Sequence, residues 1–263
     1  MELKFTNRLG MVVCLFLLLT TTTFYHCNTP SKPPILTLEK EDRIVLLGNN
    51  LCSRMLNFGT FETEMHLRFP DHQLFIRNMC DGGNTPGFRP HSARFSPWAF
   101  PGAEKFQTAE LNNFSNPQGH YETPDQWMTR LETDIVLAFF GYSESFAGLE
   151  GVDNFKAELT AFVQYTNTQY YNDETTPQLV LISPIAFQDL SDQYDLPDGK
   201  KENENLALYT QAMQEVAAAN EVPFVDVFHP SKKWFMAGEQ LTIDGSQLNQ
   251  KGYEKLGQLL AEK

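Results

Sequence analysis

The sequence has little cysteine, little positive charge and no long apolar run. Its leading apolar stretch, Met11 to Leu19, is too short to cross a bilayer, which takes roughly 20 apolar residues. Of 263 residues, 20 are Lys or Arg and 33 are Asp or Glu, which gives a formal charge of −13. A surface this acidic repels phosphate backbones, so we expect no nucleic-acid partner.

Cysteine is scarce, with four in the whole chain, of which only Cys52 and Cys80 lie beyond position 27. No CxxC pair or His/Cys cluster has the spacing of metal ligands, so neither a structural zinc nor a cofactor is expected.

The first 27 residues have the pattern of a secretory signal, because Lys4 and Arg8 precede the apolar run and a threonine tract follows it. Export to the periplasm or cell surface is therefore expected. Cys27 is followed by a polar, proline-rich tether over 28–42, as in lipoproteins anchored through a lipidated cysteine. The residues before it, "FYH", differ from the usual lipobox. Cleavage in the threonine tract and an uncleaved anchor therefore remain alternatives to lipidation.

Residues 43–263 alternate short β-rich runs with helical patterns, which predicts a three-layer α/β domain. Nearly continuous apolar strands are typical of a parallel sheet that is covered on both faces. The predicted strands are 43–47, 73–78, 134–140, 178–183 and 223–228, and the predicted helices are 51–69, 152–169, 203–220 and 249–262.

Residues 84–127 interrupt this alternation of strands and helices. The segment is rich in Pro, Gly, Asn and aromatic residues. A connection this long is usually functional or disordered. Its aromatic residues favour a flap that packs over the nearest strand ends; they include Phe88, Phe95, Trp98 and Phe100.

Ligands of such sheets bind outside the carboxyl ends of the strands, so the loops there are the place to look for a site. Four loops carry polar blocks: "GNNL" at 48–51, "CDGGNT" at 80–85, "GYSE" at 141–144 and "LTIDGSQLNQKGY" at 241–253. In order and spacing, these blocks resemble those of the SGNH or GDSL hydrolase family, over about 43–260. The resemblance implies a flavodoxin-like fold with a five-stranded parallel sheet in the order 2-1-3-4-5.

That family carries Gly-Asp-Ser after the first strand, a glycine after the second, Gly-x-Asn-Asp after the third and Asp-x-x-His before the last helix. The serine attacks an ester, the histidine is its base, the aspartate orients the histidine, and two amides with the asparagine stabilise the oxyanion. Carried over to this sequence, the matching positions are Gly48, Gly83 and Asp244.

Three of the family's catalytic positions are substituted here. Asn50 stands in the serine slot beside Asn49, Ser143 in the asparagine slot and Gln247 in the histidine slot. An amide is neither a nucleophile nor a general base near neutral pH, so the family's mechanism should fail. We instead expect Gln247 to bridge Asp244 and Asn50 by hydrogen bonds.

Longer stretches such as "FFGYSESFAG" and "LVLISPIAFQDL" resemble a subgroup of secreted bacterial proteins, in which the domain often precedes haem-binding and repeat modules. Further domains beyond residue 263 are therefore expected. The resemblance implies action on acyl esters, chiefly acetyl groups, of extracellular carbohydrate. The alternative is a catalytically inactive domain that binds carbohydrate.

Six further residues are candidates for ligand binding: Asn49, Asn84, Arg89, His91, Arg94 and Glu144. Three of them, Arg89, His91 and Arg94, form either a base or anion clamp or a set of side chains that satisfy carbonyls of a long loop and pair with nearby acids. We predict that at least one of Arg89, His91 and Arg94 shares a cavity with Asn50 and Gly83.

Other residue sets remain open as alternatives. "GYSES" resembles a nucleophile elbow, with Ser143 as nucleophile and His229 as base, although its final glycine is missing. Glu144 with Asp189 has the composition of a glycosidase carboxylate pair. Finally, Cys52 and Cys80 follow neighbouring strands, so we expect them close together beside the cleft, as two buried thiols, with a disulfide as the alternative.

Overall fold

The computed structural model describes residues 35–112, 114 and 116–263. The predicted signal segment, Cys27 and residues 28–34 of the predicted linker lie outside these residues. The end of that linker is described and lies against the sheet, where Thr37 N donates to Gln178 Oε1 at 3.0 Å and Gln178 Nε2 donates to Thr37 O at 2.7 Å. No helix in the described part of the chain is long and apolar enough to span a membrane.

Five parallel strands form one sheet in the order β2-β1-β3-β4-β5, which confirms the predicted topology. The strands are β1 (Arg43–Gly48), β2 (Phe75–Asn78), β3 (Ile135–Phe139), β4 (Gln178–Ile182) and β5 (Phe224–Val225). The last strand is much shorter than predicted. Its chain turns away because Ser183 Oγ accepts hydrogen bonds from the main-chain N–H groups of Val227 and Phe228, at 2.9 and 3.1 Å.

Seven α-helices surround the described sheet: α1 (Asn50–Ser53), α2 (Thr60–Arg68), α3 (Pro124–Arg130), α4 (Val152–Thr166), α5 (Lys200–Ala219), α6 (Phe228–Met236) and α7 (Gln250–Glu262). Short 3-10 turns lie at Arg54–Asn57, Ala103–Phe106, Glu144–Ala147 and Leu149–Gly151.

The single helix predicted over 51–69 is wrong, because the chain breaks at Phe58. The backbone of Phe58 is extended, and its ring stacks on Tyr253 of α7 with the ring centroids 4.5 Å apart. Helices α3 and α6 were not predicted. The former begins at a capping box, in which Thr123 accepts from Gln126 N and Gln126 Oε1 accepts from Thr123 N.

The sheet is buried on both faces, as its apolar strands predict. Along β1, Val45 and Leu47 belong to the hydrophobic cluster that includes α4 and α5, whereas Ile44 and Leu46 belong to the cluster with α2 and α7. This alternation fixes the register of the central strand, since a shift of one residue would exchange its two faces.

Cys52 and Cys80 form a disulfide, with their Cα atoms 5.8 Å apart. Their proximity was predicted, but the expectation of two thiols was wrong. The two parallel strands β1 and β2 end at the same edge, and Asn78 ties their loops together: its Nδ2 donates to Cys52 O at 2.6 Å and its Oδ1 accepts from Cys80 N at 2.9 Å.

Candidate functional site

The turn between β1 and α1 places Asn50 at the carboxyl edge of the sheet. Gly48 has φ +142°, and a Cβ at this position would lie 2.1 Å from the carbonyl oxygen of Phe139 in β3. Only glycine therefore allows the two strand ends to approach this closely. Asn49 N donates to Phe139 O at 3.1 Å, and Asn50 follows as the first residue of α1, partly exposed.

The loop after β2 joins this turn through its main chain and through Asn84. Asp81 N and Asn84 Nδ2 both donate to Gly48 O, at 3.0 and 3.1 Å. Asn84 is 3 % exposed and Asn49 is 1 % exposed. Gly83 has φ +82°. It is exposed, so it lies at the surface of the loop rather than beneath the turn.

Two buried amide atoms at this edge have no hydrogen-bond partner among the described residues: Asn49 Nδ2 and Asn84 Oδ1. A buried polar atom without a partner costs roughly 1–3 kcal/mol, so each one needs an explanation. Polar side chains that retain binding capacity at the ends of strands are typical of ligand sites.

The loop after β3 holds its acidic residue inward. Glu144 Oε2 accepts from Gly141 N at 2.8 Å, whereas Oε1 is buried without a partner. Burial raises the pKa of Glu144 to about 8, and the nearby Glu158 carboxylate adds to the rise. The residue as a whole is partly exposed, but its carboxyl oxygens are not, so Glu144 holds the loop rather than facing a ligand. Ser143 beside it is partly exposed and makes no side-chain hydrogen bond to any described residue.

Asp244 and Gln247 form a closed polar unit in the loop before α7. Asp244 Oδ1 accepts from Ser246 N, Ser246 Oγ and Gln247 N, at 2.9, 3.0 and 2.7 Å. Its Oδ2 accepts from Gln247 Nε2 at 2.8 Å. The first link of the expected Asp244–Gln247–Asn50 chain is therefore present. No hydrogen bond joins Gln247 to Asn50 within the described residues, so the second link is not formed.

Gln188, which the sequence analysis did not single out, fixes the loop that carries Asp244. Its buried Oε1 accepts from Leu241 N, Thr242 N and Thr242 Oγ1 at 3.0, 2.9 and 2.8 Å. Gln188 N also donates to Gly245 O at 2.8 Å. Gly245 has φ +87°, and a Cβ there would lie 2.3 Å from the ring of Phe187. The segment after β4 thus locks the position of Asp244 through main-chain groups.

Arg89 does not face the site, which corrects its assignment as a binding residue. It is 4 % exposed, and its guanidinium lies over the rings of Phe162 and Phe140, 5.2 and 6.0 Å from their centroids. Its Nη2 donates to Pro86 O at 3.1 Å, as the alternative reading of the flap arginines predicts. Burial lowers the pKa of Arg89 to about 10, opposed in part by the Glu158 carboxylate.

Glu158 of α4 anchors the start of the flap. Its Oε1 accepts from Thr85 Oγ1, Gly87 N and Gln107 Nε2, at 2.6, 2.9 and 3.0 Å. Three donors from two parts of the flap therefore converge on one buried carboxylate. These bonds hold the flap against α4, and Phe88 and Phe100 are buried as a packed flap predicts, whereas Phe95 is exposed.

His91 and Arg94 line a cavity of about 370 Å³ between the flap and the end of β2. The predicted cavity included Asn50 and Gly83, but neither lines this one. Asn84 does, and it connects the cavity to Gly48. Arg94 also donates to main-chain oxygens, through Nε to Glu122 O at 2.9 Å and through Nη1 to Arg89 O.

The structure also places the residues of the two other sites that the sequence suggests, the one with His229 and the one with Asp189. His229 Nδ1 lies 2.6 Å from Asp226 Oδ2 beyond β5, and its ring is exposed, but no serine of the described chain is hydrogen-bonded to it. Asp189 is exposed and accepts from Ser191, so it does not share the buried environment of Glu144. No group of acidic, His and Cys side chains in the described part of the chain has the arrangement of a metal site.

No protein-family model matches this sequence, and no curated protein matches it either. Solved structures match its fold. A lipase/acylhydrolase from Enterococcus faecalis is 17 % identical at a TM-score of 0.53, covering 84 % of this chain and 94 % of that one. A catalytic mutant of an acetylxylan esterase from Geobacillus stearothermophilus is 12 % identical at 0.56, covering 86 % and 95 %. A further acetyl xylan esterase is 14 % identical at 0.55, covering 84 % and 98 %.

Proposed function

We propose that this chain, which has the SGNH/GDSL hydrolase fold, is an ester-hydrolase-like domain that binds an acylated carbohydrate without cleaving it by the family's mechanism. The fold itself carries no activity, since function depends on the residues of the site. The proposal therefore depends on the groups at the strand ends.

The bond from Gln247 to Asp244 is the observation that carries the proposal. In the family's arrangement, an imidazole in this slot donates one N–H to the aspartate and takes a proton from serine with its other nitrogen. Gln247 donates to Asp244 in the same manner, at 2.8 Å, but its free oxygen is a very weak base. Asn50 also supplies no hydroxyl to activate.

The parts that shape the cleft are nevertheless retained. Gly48 brings the ends of β1 and β3 together, Asn84 bonds to Gly48 O, and Gln188 fixes the Asp244 loop. These contacts support a preformed cleft, and a preformed site favours binding because little ordering is needed. We take acetylated carbohydrate as the ligand class because two of the structural neighbours are acetylxylan esterases.

Turnover of p-nitrophenyl acetate by the purified chain tests the proposal, alongside Asn50→Ala and Asp244→Asn. We expect all three proteins to match the buffer rate. Calorimetry with an acetylated xylo-oligosaccharide and its deacetylated form should show tighter binding of the acetylated form. Turnover by the unmodified chain that is lost in Asn50→Ala would overturn the proposal.

A second candidate function is hydrolysis through the His229–Asp226 pair, because the 2.6 Å contact orients an exposed imidazole beyond the end of β5. Ser143 is the serine that the sequence suggests as its nucleophile. Ester turnover that persists in Asn50→Ala but disappears in both His229→Ala and Ser143→Ala would favour this candidate.

We also infer export, with attachment to a membrane if Cys27 is lipidated. The Cys52–Cys80 disulfide supports this inference, because such bonds persist in oxidising compartments and are rare in the cytosol. Fractionation of cells that express the full chain and its Cys27→Ala variant tests both parts.

A further inference from the structure

Two arginines without a carboxylate partner line the same cavity, the one of about 370 Å³ beneath the flap. Neither Arg77 nor Arg94 has a carboxylate oxygen within 4 Å among the described residues. Asp81 is the one acidic residue of the lining; its Oδ1 accepts from Gly82 N at 2.8 Å, and its charge also acts on Arg94. The cavity thus has a local excess of positive charge.

Arg94 keeps part of its guanidinium available for a ligand. Its Nε and Nη1 are used by main-chain oxygens of the flap, which hold the group in place, while Nη2 makes no hydrogen bond to any described residue. The side chain of Arg77 is exposed and makes no hydrogen bond to any described residue. Guanidinium groups are well suited to carboxylates and sulfates, because their N–H groups match the spacing of two oxygens.

Three stacked rings form another wall of the cavity. His91 and Tyr121 have ring centroids 4.6 Å apart at 21°, and Tyr121 and Trp127 have centroids 5.0 Å apart at 19°. All three residues line the cavity, and the buried Nε1 of Trp127 has no partner among the described residues. Rings that combine an apolar surface with polar N–H and O–H groups suit a ligand that itself has apolar and polar surfaces.

Asn84 supplies a polar acceptor. Its Oδ1 is buried and unpartnered, while its Nδ2 is fixed on Gly48 O. A hydroxyl group of a ligand would satisfy this oxygen. The bond to Gly48 also places the cavity next to the turn that carries Asn50.

We propose that this cavity binds an acidic saccharide, one whose sugar units carry carboxylate groups. Arg77 and Arg94 bind the carboxylate, Asn84 accepts a sugar hydroxyl, and the stacked rings contact the apolar face of the sugar. The choice of a saccharide rests on the proposed function, whereas the choice of an anion rests on the two arginines.

Calorimetric titration of the full chain with trigalacturonic acid, and with the neutral trimer obtained by reducing its carboxyl groups, tests this inference. We expect the acidic trimer to bind at least about tenfold more tightly, since a hydrogen bond to a charged group contributes roughly 1.5–3 kcal/mol. Raising NaCl from about 50 to 300 mM should weaken only the acidic trimer, because salt screens the charge.

Arg77→Gln provides the test variant, and Arg43→Gln is its matched control. Both arginines lie over the ring of Phe75, 5.7 Å from its centroid, but Arg43 is at the opposite end of the strands and does not line the cavity. We expect Arg77→Gln to weaken the acidic trimer about tenfold and Arg43→Gln to leave it unchanged. Arg94→Gln is the second test variant. If it fails to fold, Arg94→Lys, which keeps the charge, takes its place.

Equal affinity for the acidic and neutral trimers would overturn the inference and leave carbohydrate binding intact. Binding of sodium acetate or sulfate as tight as that of the acidic trimer would overturn the saccharide part. If neither trimer binds, the inference is also wrong, and the p-nitrophenyl acetate and acetylated xylo-oligosaccharide experiments still decide the proposed function.

Discussion

Gln247 Nε2 donates to Asp244 Oδ2 over 2.8 Å. Under the function proposed above, this contact stands where an orienting carboxylate meets its base in a hydrolytic triad. In that proposal, the hydrogen bond to the carboxylate is kept and the base is lost. Because an amide donates as an imidazole does, the exchange leaves the loop undisturbed while removing the proton acceptor.

Restoring the triad should therefore create esterase activity. The triple variant Asn50→Ser, Ser143→Asn and Gln247→His returns the nucleophile, an oxyanion donor and the base. We expect acetyl-ester turnover on the order of 10³-fold above either Asn50→Ser or Gln247→His alone, since triad members act as a unit. Circular dichroism serves as the folding control. A single reversion as active as the triple variant would contradict this reading of the site.

Removing the flap anchor should destabilise the protein. In Glu158→Ala, three donors from Thr85, Gly87 and Gln107 lose their acceptor, and the buried Arg89 loses one of its nearby counter-charges. We expect a loss of about 3 kcal/mol in the free energy of unfolding, measured in urea. The matched control is Glu215→Ala, whose carboxylate pairs with Lys156 at the surface and should matter little. An equal effect of both substitutions would show that Glu158 anchors nothing.

Stability should fall as pH rises through the range in which Glu144 ionises. Burial raises the pKa of Glu144 to about 8 from an ordinary value of 4.5. At this group the native state therefore binds more protons than the unfolded state between these values, so the contribution of Glu144 to stability is most favourable below about pH 4.5 and declines up to about pH 8. The neutral Glu144→Gln variant should avoid this decline, because its amide oxygen can still accept from Gly141 N.

Urea midpoints at pH 5 and pH 8.5 measure the difference. Relative to the parent protein, Glu144→Gln should gain about 4 kcal/mol more at pH 8.5 than at pH 5, because ionising the buried carboxyl costs about 1.4 kcal/mol for each of the roughly three pH units between pH 5 and its pKa. The exposed Glu150→Gln is the control and should follow the parent at both pH values. A parallel pH response of Glu144→Gln and the parent would contradict the assignment.

The Cys52–Cys80 disulfide should contribute about 3–4 kcal/mol to stability, because it closes a loop of 28 residues in the unfolded chain. Dithiothreitol should lower the urea midpoint of the parent protein. It should have no effect on the Cys52→Ser/Cys80→Ser double variant. A parent protein that is insensitive to the reductant would argue that the bond does not form.

Much of the architecture could be predicted from sequence, because it follows from local patterns. Continuous apolar runs predict buried parallel strands, and a glycine at the end of β1 marks the turn that holds Asn50. The Asp244–Gln247 contact is also local, as the two residues are three positions apart.

Features that depend on distant residues were missed. At the break, Phe58 stacks on Tyr253, which is distant in the sequence, and Gln188 holds a loop 53 residues away. The burial of Arg89 depends on Phe140 and Phe162, and nothing in the flap itself distinguishes that arginine from Arg94. Such pairings require the tertiary structure, since a charged loop residue is usually exposed.

The loops around the site are held mainly by main-chain atoms: Asn49 N on Phe139 O, Asp81 N on Gly48 O, and Gln188 N on Gly245 O. A substitution at position 50, 143 or 247 leaves every one of these bonds in place. The fold of these loops therefore does not depend on the side chains at the reactive positions. Such a domain can lose one activity, or acquire another, through a few substitutions that leave the structure of its loops unchanged.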